Sequence, residues 1–541
     1  MHKKLLAFAL IFVFTCYASA QQTYKYVVRF TDKNGSGYTL DNPSEYLSTR
    51  ALERRARQNI SIDSLDLPVN PYYLQQLREA GFVVRNCSKW KNCASVDADS
   101  NISDWSRFPF VAEATCYYIE DPFQFGGRFS SGWQMPRPAY DTLYSESYYG
   151  LGIRQISQLN GIGLHREGFQ GEGMLIGVCD VGFPGIDTLV LFDSLRNDGR
   201  LIARRDFVWP HLADTFDLHD HGTSVLSNLA SYIPGCYVGT APKASYILCR
   251  TEDMIHESPL EEYNWIAAVE YLDSMGADIV STSLGYYFFD NSEFDITPFM
   301  MNGSRTPMSQ AAAIASNKGM LVVNSAGNDG NSIPQHLNIP ADAEAVLTIG
   351  AVDEYGEYAY FSSQGPTYDN RIKPDICAMG MDVRTASVAN GIQSLNGTSF
   401  SCPIAAGMMA CLWQKYPDWT PAQLRDSVRS WGDHANAPNN QYGYGIPDFG
   451  NATESPQVVI PQKEQKPKCT LYPNPSHGKV QLLVDDDNAT ICVYDAMGHL
   501  RIQDHYGSST LQSVLDNLSQ GLYLIRITTS QGVRTLKMVR K

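Results

Sequence analysis

The sequence predicts an α/β protein whose central domain is a parallel sheet flanked by helices. Short, nearly continuous apolar segments recur between residues 174 and 352, and helical patterns lie between several of them. Strands without polar alternation that are separated by helices are typical of a parallel sheet covered on both faces. The length of 541 residues predicts roughly three or more domains, which leaves room for a small module at each end.

The composition excludes several classes of protein. With 43% apolar residues the chain can bury a core, so wholesale disorder is excluded. The 42 Lys and Arg residues are outnumbered by 57 Asp and Glu residues, and the net charge is −15. A protein that binds nucleic acid normally has a basic face, so this balance argues against such a partner and fits the surface of an acidic enzyme.

The first 20 residues have the features of a secretory signal peptide. Lys3 and Lys4 precede an apolar run over residues 5–14, and the small residues Ala18 and Ala20 suit a cleavage site. The run is too short for a transmembrane helix, and no later stretch reaches the ~18 uninterrupted apolar residues of a membrane span. We therefore expect export and no transmembrane span.

The cysteines give little support to a metal or redox site. Of the 12 cysteines, Cys16 lies in the predicted signal peptide, which leaves 11. A lipid anchor on Cys16 is disfavoured by the bulky Phe14 before it. The chain has no CxxC motif, and export permits disulfides, so an odd number leaves at least one thiol free or intermolecular.

Composition shifts divide the rest of the chain. Residues 21–121 predict a small α+β module, and residues 122–149, rich in Gly, Ser, Pro and aromatics, predict an exposed connector. Residues 150–450 carry the α/β pattern. A Pro-, Gln- and Lys-rich linker follows at residues 451–468, and residues 469–541 predict an all-β module, a small β-sandwich.

The elements follow in order along each module. The first module has predicted helices over 44–58 and 71–80, the second stopped by Gly81, and strands over 24–30, 82–85 and 110–119. The central domain has a helix with Thr420 as its N-cap and Pro421 at its first position, and helices over 260–275, 308–318 and 404–412. Its strands are predicted over 174–179, 245–249, 278–284, 320–326 and 345–352. The last module has strands over 479–484, 490–495, 521–529 and 533–539.

Asp180 ends the first apolar strand of the central domain. A carboxylate at the carboxyl end of a buried parallel strand lies where α/β folds build their sites. An aspartate that only caps a turn is the alternative interpretation of this segment by itself.

A second segment contains His221, followed by Gly222 and Thr223, and leads into an apolar helical stretch. Gly222 keeps the backbone beside the imidazole uncluttered. A metal site is the alternative, because His219 and several aspartates are near, but the segment has neither an HExxH motif nor an i,i+4 histidine pair. We expect no metal site here and interpret His219 as a surface neighbour.

A third segment places Ser399 after Gly397 and Thr398, at the start of a strongly apolar helix. A serine at this position is often only a helix cap. A buried helix would, however, hold the hydroxyl at the surface of a rigid core, near the positive end of the helix dipole. Position 401 is Ser, which excludes the G-x-S-x-G turn of α/β-hydrolases.

These segments together contain a nucleophile, a base and an acid. A serine hydroxyl is a weak nucleophile that needs a base within hydrogen-bond reach, and the base needs an acid to orient it. Asp180, His221 and Ser399 provide these groups. Asn328, in a tight turn after a buried strand, is suited to donate an amide N–H to the oxyanion of a tetrahedral intermediate, beside the Ser399 backbone N–H.

Residues 150–450 resemble the subtilisin-like serine peptidases, the subtilases. The resemblance rests on four blocks in the family's order and approximate spacing, which contain Asp180, His221, Asn328 and Ser399. It implies a subtilisin-like fold and a serine endopeptidase that acts through an acyl-enzyme intermediate. It also implies that the segment Ser283, Leu284 and Gly285 pairs with the substrate backbone and, together with Ala326 and Gly327, lines the primary specificity pocket.

The chain departs from the family's pattern at Val181, where a Ser or Thr usually follows the acid. This change removes a hydroxyl from the surroundings of Asp180. Cys402 lies on the same helical face as Ser399, and we interpret it as a small buried residue rather than a redox group. The resemblance implies no required cofactor. Structural calcium is common in the family, but the segment from Asp97, which begins like an EF-hand loop, lacks its glycine and carries Phe108 in place of the bidentate glutamate.

The flanking modules resemble parts of exported bacterial peptidases. Residues 21–121 lie where subtilases carry a prodomain that assists folding and blocks the site, although a permanent accessory domain is the alternative. The last module resembles the C-terminal sorting domains of the type IX secretion system of certain Gram-negative bacteria, through the motifs at 471–475, 493–498 and 518–523. This implies export through the periplasm, with the secretion machinery as a partner. An adhesive or carbohydrate-binding sandwich is the alternative.

The sequence therefore predicts a secreted or cell-surface serine endopeptidase that acts on polypeptide substrates and is made as a zymogen. Two other functions stay open at this point. One is a catalytically inactive subtilase fold that binds a partner at the cell surface, and the other is an esterase that uses the same residues.

Overall fold

A computed structural model describes residues 22–120, 146–212, 215–332, 336–389, 391–453 and 469–541, apart from residues 485, 487, 497–498 and 530–531. The predicted signal peptide, connector residues 122–145 and linker residues 454–468 lie outside the described residues. The chain forms two compact units, residues 1–456 and 457–541. Each unit is described by itself.

The N-terminal module of the first unit is a four-stranded antiparallel sheet in the order β2-β3-β1-β4, with two helices. Its strands are β1 (Thr23–Phe30), β2 (Val83–Ser88), β3 (Cys93–Ala98) and β4 (Val111–Glu120), and its helices are α1 (Thr49–Arg57) and α2 (Pro71–Glu79). The sequence did not predict β3. This strand pairs on both sides, with β1 and β2, and it has only six residues, of which Ser95 and Asp97 are polar.

The central domain contains a seven-stranded sheet in the order β13-β12-β11-β10-β5-β9-β6, with parallel neighbours throughout. These strands are β5 (Leu175–Asp180), β6 (Leu201–Asp206), β9 (Ser245–Arg250), β10 (Ile279–Thr282), β11 (Leu321–Ser325), β12 (Val346–Val352) and β13 (Ile376–Met379). Two short antiparallel pairs add β7 (Tyr232–Ile233) with β8 (Tyr237–Val238), and β14 (Val383–Ser387) with β15 (Gly391–Leu395). The predicted parallel α/β fold is confirmed.

Helices cover both faces of this sheet. They are α3 (Glu146–Tyr149), α4 (Ile153–Ser157), α5 (Ile162–Arg166), α6 (Asp193–Asn197), α7 (His221–Ala230), α8 (Leu260–Met275), α9 (Pro307–Asn317), α10 (Thr398–Lys415) and α11 (Pro421–Ser430). Ile176 and Val178 of β5 pack in one core with α7 and α10, whereas Leu175 and Cys179 pack in a second core with α8 and α9. Because alternate residues are buried on opposite faces, β5 is apolar up to Asp180 at its end.

The N-terminal module contacts α8 through buried charges. The carboxylate of Asp273, near the end of α8, is completely buried and accepts hydrogen bonds from Arg54 at 2.5 Å, from Arg55 at 2.8 and 2.9 Å, and from Lys89 at 3.1 Å. Burial by itself would raise the pKa of Asp273, but the three cations hold it well below its usual range.

The second unit consists mainly of antiparallel strands. A sheet in the order β19-β18-β20-β21 packs with a separate β16-β17 pair and one helix. The strands are β16 (Cys469–Tyr472), β17 (Gln481–Val484), β18 (Thr490–Asp495), β19 (Leu500–His505), β20 (Gly521–Thr529) and β21 (Gly532–Arg540), and the helix is α12 (Ser509–Asn517). The sequence did not predict α12, whose signal is the buried i,i+4 pair Leu511 and Leu515.

Within the parts of the chain that the structure describes, no helix combines the length and the hydropathy needed to cross a membrane.

We predict that Asp273→Ala lowers the free energy of unfolding of the first unit by about 3–5 kcal/mol, because it removes a shared counter-charge from three buried cations and leaves Arg55 with Asp66 alone. Urea unfolding followed by tryptophan fluorescence, with a serine-protease inhibitor present, measures the change. Glu113→Ala is the matched control, since Glu113 and its partner Arg29 are each 59% exposed and such a pair contributes less than about 1 kcal/mol. Equal losses in the two variants would contradict the prediction.

Candidate active site

The parallel sheet brings the residues predicted from the sequence together at the carboxyl ends of its strands. Asp180 ends β5, Asn328 follows the end of β11, and β10 lies between these two strands. His221 is the first residue of α7, and Ser399 lies in the first turn of α10. Both helices pack on the same face of the sheet, in the core that includes β5.

Asp180 and His221 form a hydrogen-bonded pair. The fully buried carboxylate accepts a hydrogen bond from His221 Nδ1 on its Oδ1 atom at 2.7 Å, and a second from the Val181 backbone N–H at 2.8 Å. A carboxylate can only accept, so the proton of a neutral imidazole is on Nδ1 and Nε2 is the free base. The sequence-predicted acid and base are therefore brought together.

Glycine is required where α7 starts against the end of β5. A Cβ added to Gly222 would lie 2.4 Å from the Gly182 carbonyl oxygen and 2.9 Å from Asp180 Cβ. The absence of a side chain at this position lets His221 approach the carboxylate, which is the role the sequence predicted.

Opposing effects set the pKa of His221. Burial lowers this pKa, but the charge of Asp180 and its hydrogen bond raise it, and Glu252 and Asp220 add smaller effects in the same direction. The net result is a pKa above the ordinary value of 6.5.

Glu252 is an acidic residue near Asp180 that the sequence did not predict as part of the site. It follows Thr251, whose backbone N–H donates to the Asp180 carbonyl at 3.0 Å, so it lies directly beyond the β9 edge of the site. Burial and the negative charges of Glu257 and Asp180 raise the pKa of Glu252 to about 8. The signal for it was its position, two residues after the strand that pairs with the Asp180 strand.

The second oxygen of Asp180 has no hydrogen-bond partner among the described residues, although it is buried. Val181 is the next residue in the chain, and it provides only its backbone N–H, since its side chain has no donor. Arg250, aligned with Asp180 across β5 and β9, donates to the Val181 carbonyl at 3.0 Å and to Asp206 at 3.0 Å. Arg250 thus fixes the turn after Asp180 without neutralising the unpaired oxygen.

Ser399 is anchored to the sheet by Ser283. The Ser283 hydroxyl donates to the Ser399 carbonyl at 2.7 Å, and the Ser399 hydroxyl donates to the Ser283 carbonyl at 3.4 Å. The Ser399 carbonyl is available because the residue four positions later is Pro403, which has no N–H to donate. The structure forms no hydrogen bond between Ser399 and His221 among the residues it describes.

Asn328 is oriented by Thr398, for which the sequence predicted no role. The amide oxygen of Asn328 accepts from the Thr398 N–H at 2.9 Å and from its hydroxyl at 3.1 Å. A backbone N–H must meet the amide oxygen, so the Asn328 NH₂ group is directed elsewhere, and it lies 3.7 Å from the Cβ position of Gly397. The Ser399 N–H is in the first helical turn, where amides have no intrahelical acceptor. Two donors, the Asn328 NH₂ group and the Ser399 N–H, therefore lie at the start of α10.

The predicted substrate-binding segments lie on either side of this site. The Asn324 amide donates to the Leu284 carbonyl at 3.0 Å and so links the end of β11 to the segment from Ser283 to Gly285. The Gly327 backbone N–H donates to the Thr398 hydroxyl at 3.2 Å and joins the other segment to the start of α10. Gly327 has φ +110, in the region that favours glycine.

Several neighbouring residues have structural contacts. His219 Nδ1 accepts from the His221 backbone N–H at 3.1 Å. Cys402 is completely buried, with its sulfur 3.3 Å from the Thr282 carbonyl. The 11 cysteines that the structure describes form no disulfide with one another. Among the described residues, no group of three His, Cys, Asp or Glu side chains could hold a metal ion.

Comparison with protein families agrees with this geometry. The model of the Subtilase family of S8 peptidases matches residues 171–445, half of the chain, so the chain belongs to the subtilase family. Residues 25–124 match the S8 propeptide domain of Bacteroidota, and residues 470–541 match a secretion system C-terminal sorting domain.

Characterised relatives and solved structures cover the same region. The chain is 28% identical over 300 residues to the thermostable alkaline protease of Halalkalibacterium halodurans, with 55% of this chain and 73% of that protein covered. It is 27% identical over 293 residues to subtilisin E of Bacillus subtilis, with 54% and 68% covered. The crystal structure of MycP1 from Mycobacterium smegmatis is 21% identical, covers 61% of this chain and 90% of that chain, and has a TM-score of 0.45.

The protein is a subtilisin-like serine endopeptidase with an N-terminal propeptide domain. Its sorting domain indicates type IX secretion, which gives a secreted or cell-surface location.

We predict that nuclear magnetic resonance titration of His221 gives a pKa above 6.5, and that Asp180→Asn lowers it because the largest raising charge is lost. Glu252→Gln should change the same pKa less, because a carboxyl with a pKa of about 8 is mostly uncharged at neutral pH. A protein in which Glu252→Gln has the larger effect, or in which neither variant lowers the His221 pKa, would contradict this assignment.

Proposed function

We propose that the protein hydrolyses peptide bonds through Ser399, His221 and Asp180, with Asn328 as an oxyanion-hole donor. The hydrogen bond of 2.7 Å between buried Asp180 and His221 Nδ1 carries this proposal, because it leaves His221 Nε2 as the free base at the edge of the sheet where Ser399 lies. The family membership of the chain agrees with this assignment.

In the proposed acylation step, the Ser399 hydroxyl rotates from the Ser283 carbonyl to His221 when a substrate binds. Its contact with Ser283 is long, 3.4 Å, so little is lost in this rotation, and catalytic hydrogen bonds are often loose without substrate. Ser399 Oγ attacks the scissile carbonyl carbon while its proton passes to His221 Nε2. The imidazolium then gives this proton to the leaving amine.

Deacylation reverses these roles with water. His221 takes a proton from the water that attacks the acyl-enzyme, and it returns that proton to Ser399 as the carboxylic acid leaves. Asp180 stays ionised and stabilises the imidazolium at both stages. Only neutral His221 accepts a proton. The reaction therefore requires a pH above the His221 pKa, and activity is lost as the pH falls through that pKa.

The oxyanion of each tetrahedral intermediate is held by the Asn328 NH₂ group and the Ser399 N–H. Donors of this kind act best when they are fixed before the reaction. Thr398 supplies this preorganisation, since it holds the Asn328 oxygen with two hydrogen bonds. Ser283, Leu284 and Gly285 on one side, and Ala326 and Gly327 on the other, would pair with the extended substrate backbone.

This route needs no metal or organic cofactor, because the nucleophile, the base and the oxyanion donors all belong to the chain. Any bound calcium would act on stability rather than on the chemical step. The substrates we propose are polypeptides outside the cell, since the sorting domain indicates export.

We predict that Ser399→Ala abolishes both the cleavage of denatured casein and labelling by a fluorophosphonate, a probe that requires an activated serine. Ser401→Ala is the matched control, because its hydroxyl in the same helix is buried and donates to the Thr398 carbonyl. If the folded, processed wild type neither cleaves nor labels, the protein is an inactive subtilase fold. If it labels but hydrolyses only simple esters, it is an esterase.

We predict that Asn328→Ala lowers kcat by about 10²–10³-fold with little change in KM, because the amide acts on the oxyanion rather than on the bound substrate. Asn331→Ala, an exposed residue of the same loop, should leave kcat unchanged. Steady-state hydrolysis of a peptide substrate measures both variants. A rise in KM with constant kcat would assign Asn328 to substrate binding instead.

A further inference from the structure

We call the space between the two predicted substrate-binding segments, residues 283–285 and 326–327, the cleft. Asn338 lies at one end of it. Its backbone N–H donates to the Ala326 carbonyl at 3.2 Å, and the next residue, Ile339, exchanges hydrogen bonds with Tyr286 at 3.0 and 3.2 Å. Asn338 is therefore fixed between the two segments: it bonds to Ala326 directly, and the neighbouring Ile339 pairs with Tyr286, the residue after Gly285.

The Asn338 side chain occupies space left by two glycines. A Cβ on Gly285 would lie 2.8 Å from Asn338 Cβ, and a Cβ on Gly327 would lie 3.0 Å from Asn338 Cγ and 3.1 Å from Nδ2. A glycine at position 338 would leave this end of the cleft open. With asparagine there, the cleft is shorter and its end is polar.

The Asn338 oxygen is a buried acceptor with no donor among the described residues. An unpaired buried carbonyl is costly unless a ligand satisfies it.

His336 adds a second unpaired acceptor. Its side chain is 7% exposed, and its Nδ1 lies 3.2 Å from the Leu337 carbonyl, which can only accept, so the proton is on Nδ1. The other nitrogen, Nε2, is then a lone-pair acceptor, and it is buried without a partner within the described part of the chain.

Asp329 adds a negative charge to this end of the cleft. Its backbone N–H donates at 3.0 Å to the hydroxyl of Ser363, which lies 2.7 Å from the Cβ position of Gly327. Its carboxylate lies 4.0 Å from His336 Nδ1 and forms no ion pair with a lysine or arginine among the described residues. Asn338 and Asp329 thus contribute acceptors near Gly327, and His336 adds a third beside Asp329, with no lysine or arginine paired to any of them in the described part of the chain.

We infer that Asp329, Asn338 and His336 form the end of the primary specificity pocket and select substrates with lysine or arginine at P1, the residue whose carbonyl is attacked. A cationic side chain with several N–H donors satisfies the unpaired acceptors and the free carboxylate together. An aromatic P1 side chain would meet Asn338 and leave these acceptors buried and unpaired. This inference depends on the proposed function, because it assigns the substrates of the same site.

The first test maps every bond that the processed wild type cleaves in denatured casein, by mass spectrometry. Fluorogenic peptides that differ only at P1 then give kcat/KM for Lys, Arg, Gln and Phe. We expect the Lys and Arg peptides to exceed the Gln and Phe peptides by about tenfold or more, since a site built for donors rejects analogues that lack them.

Variants assign the preference to the pocket. Asp329→Asn should lower kcat/KM for the Lys and Arg peptides by about tenfold, with the Gln peptide little changed. Asn338→Gly should raise kcat/KM for the Phe peptide, because it lengthens the cleft. Glu344→Gln is the matched control. Glu344 is exposed and precedes β12, at the amino ends of the strands and so away from the site, and the wild-type preference should persist in this variant.

The outcomes separate this inference from the proposed function. Fluorophosphonate labelling with casein cleavage, but with equal rates for Lys, Gln and Phe, overturns the inference and leaves the serine mechanism standing. An absence of both labelling and cleavage in folded, processed wild type overturns the proposed function and the inference with it. A basic preference that survives Asp329→Asn and Asn338→Gly excludes these residues as its source, and the wild-type profile decides the question even if one variant does not fold.

Discussion

The arrangement of the site depends on the buried carboxylate of Asp180. A carboxylate loses most of its hydration at this depth, so the hydrogen bonds from His221 and from the Val181 backbone must replace it. Those bonds determine the tautomer of His221 and therefore which nitrogen is the base. The unpaired second oxygen shows that this replacement is incomplete in this chain, where Val181 supplies no hydroxyl.

Close packing at the sheet edge turns this pair into a site. Gly222 allows α7 to begin against Asp180, and Pro403 frees the Ser399 carbonyl for Ser283, so both helices are held to the strands at the residues that carry the chemistry. Thr398 connects the two halves, because its hydrogen bonds reach both Gly327 and Asn328. The fold therefore holds the Asn328 amide and the start of α10 in fixed positions, whereas the Ser399 hydroxyl itself must rotate in the proposed reaction.

The propeptide domain meets the catalytic domain through charge rather than through an apolar surface alone. Arg54, Arg55 and Lys89 converge on Asp273 at the end of α8, a helix on the face of the sheet opposite α7 and α10. Charges buried in this way are costly when one partner is missing. The catalytic domain therefore carries a deeply buried acid whose counter-charges all belong to the propeptide domain.

Much of this molecule could be predicted from local sequence patterns. Apolar segments without alternation predicted the five inner parallel strands but not the edge strands β6 and β13, and β6 alternates between exposed and half-buried residues. Asp180, His221, Asn328 and Ser399 were predicted because each lies at a strand end, a turn or a helix start. The strand β3 was missed because polar Ser95 and Asp97 interrupt its six residues, and the helix α12 because it lies between strands of the last module. Only the tertiary structure showed the contacts of Thr398, Arg250, Asn338 and His336, because these contacts join residues far apart in the chain and no spacing rule records them.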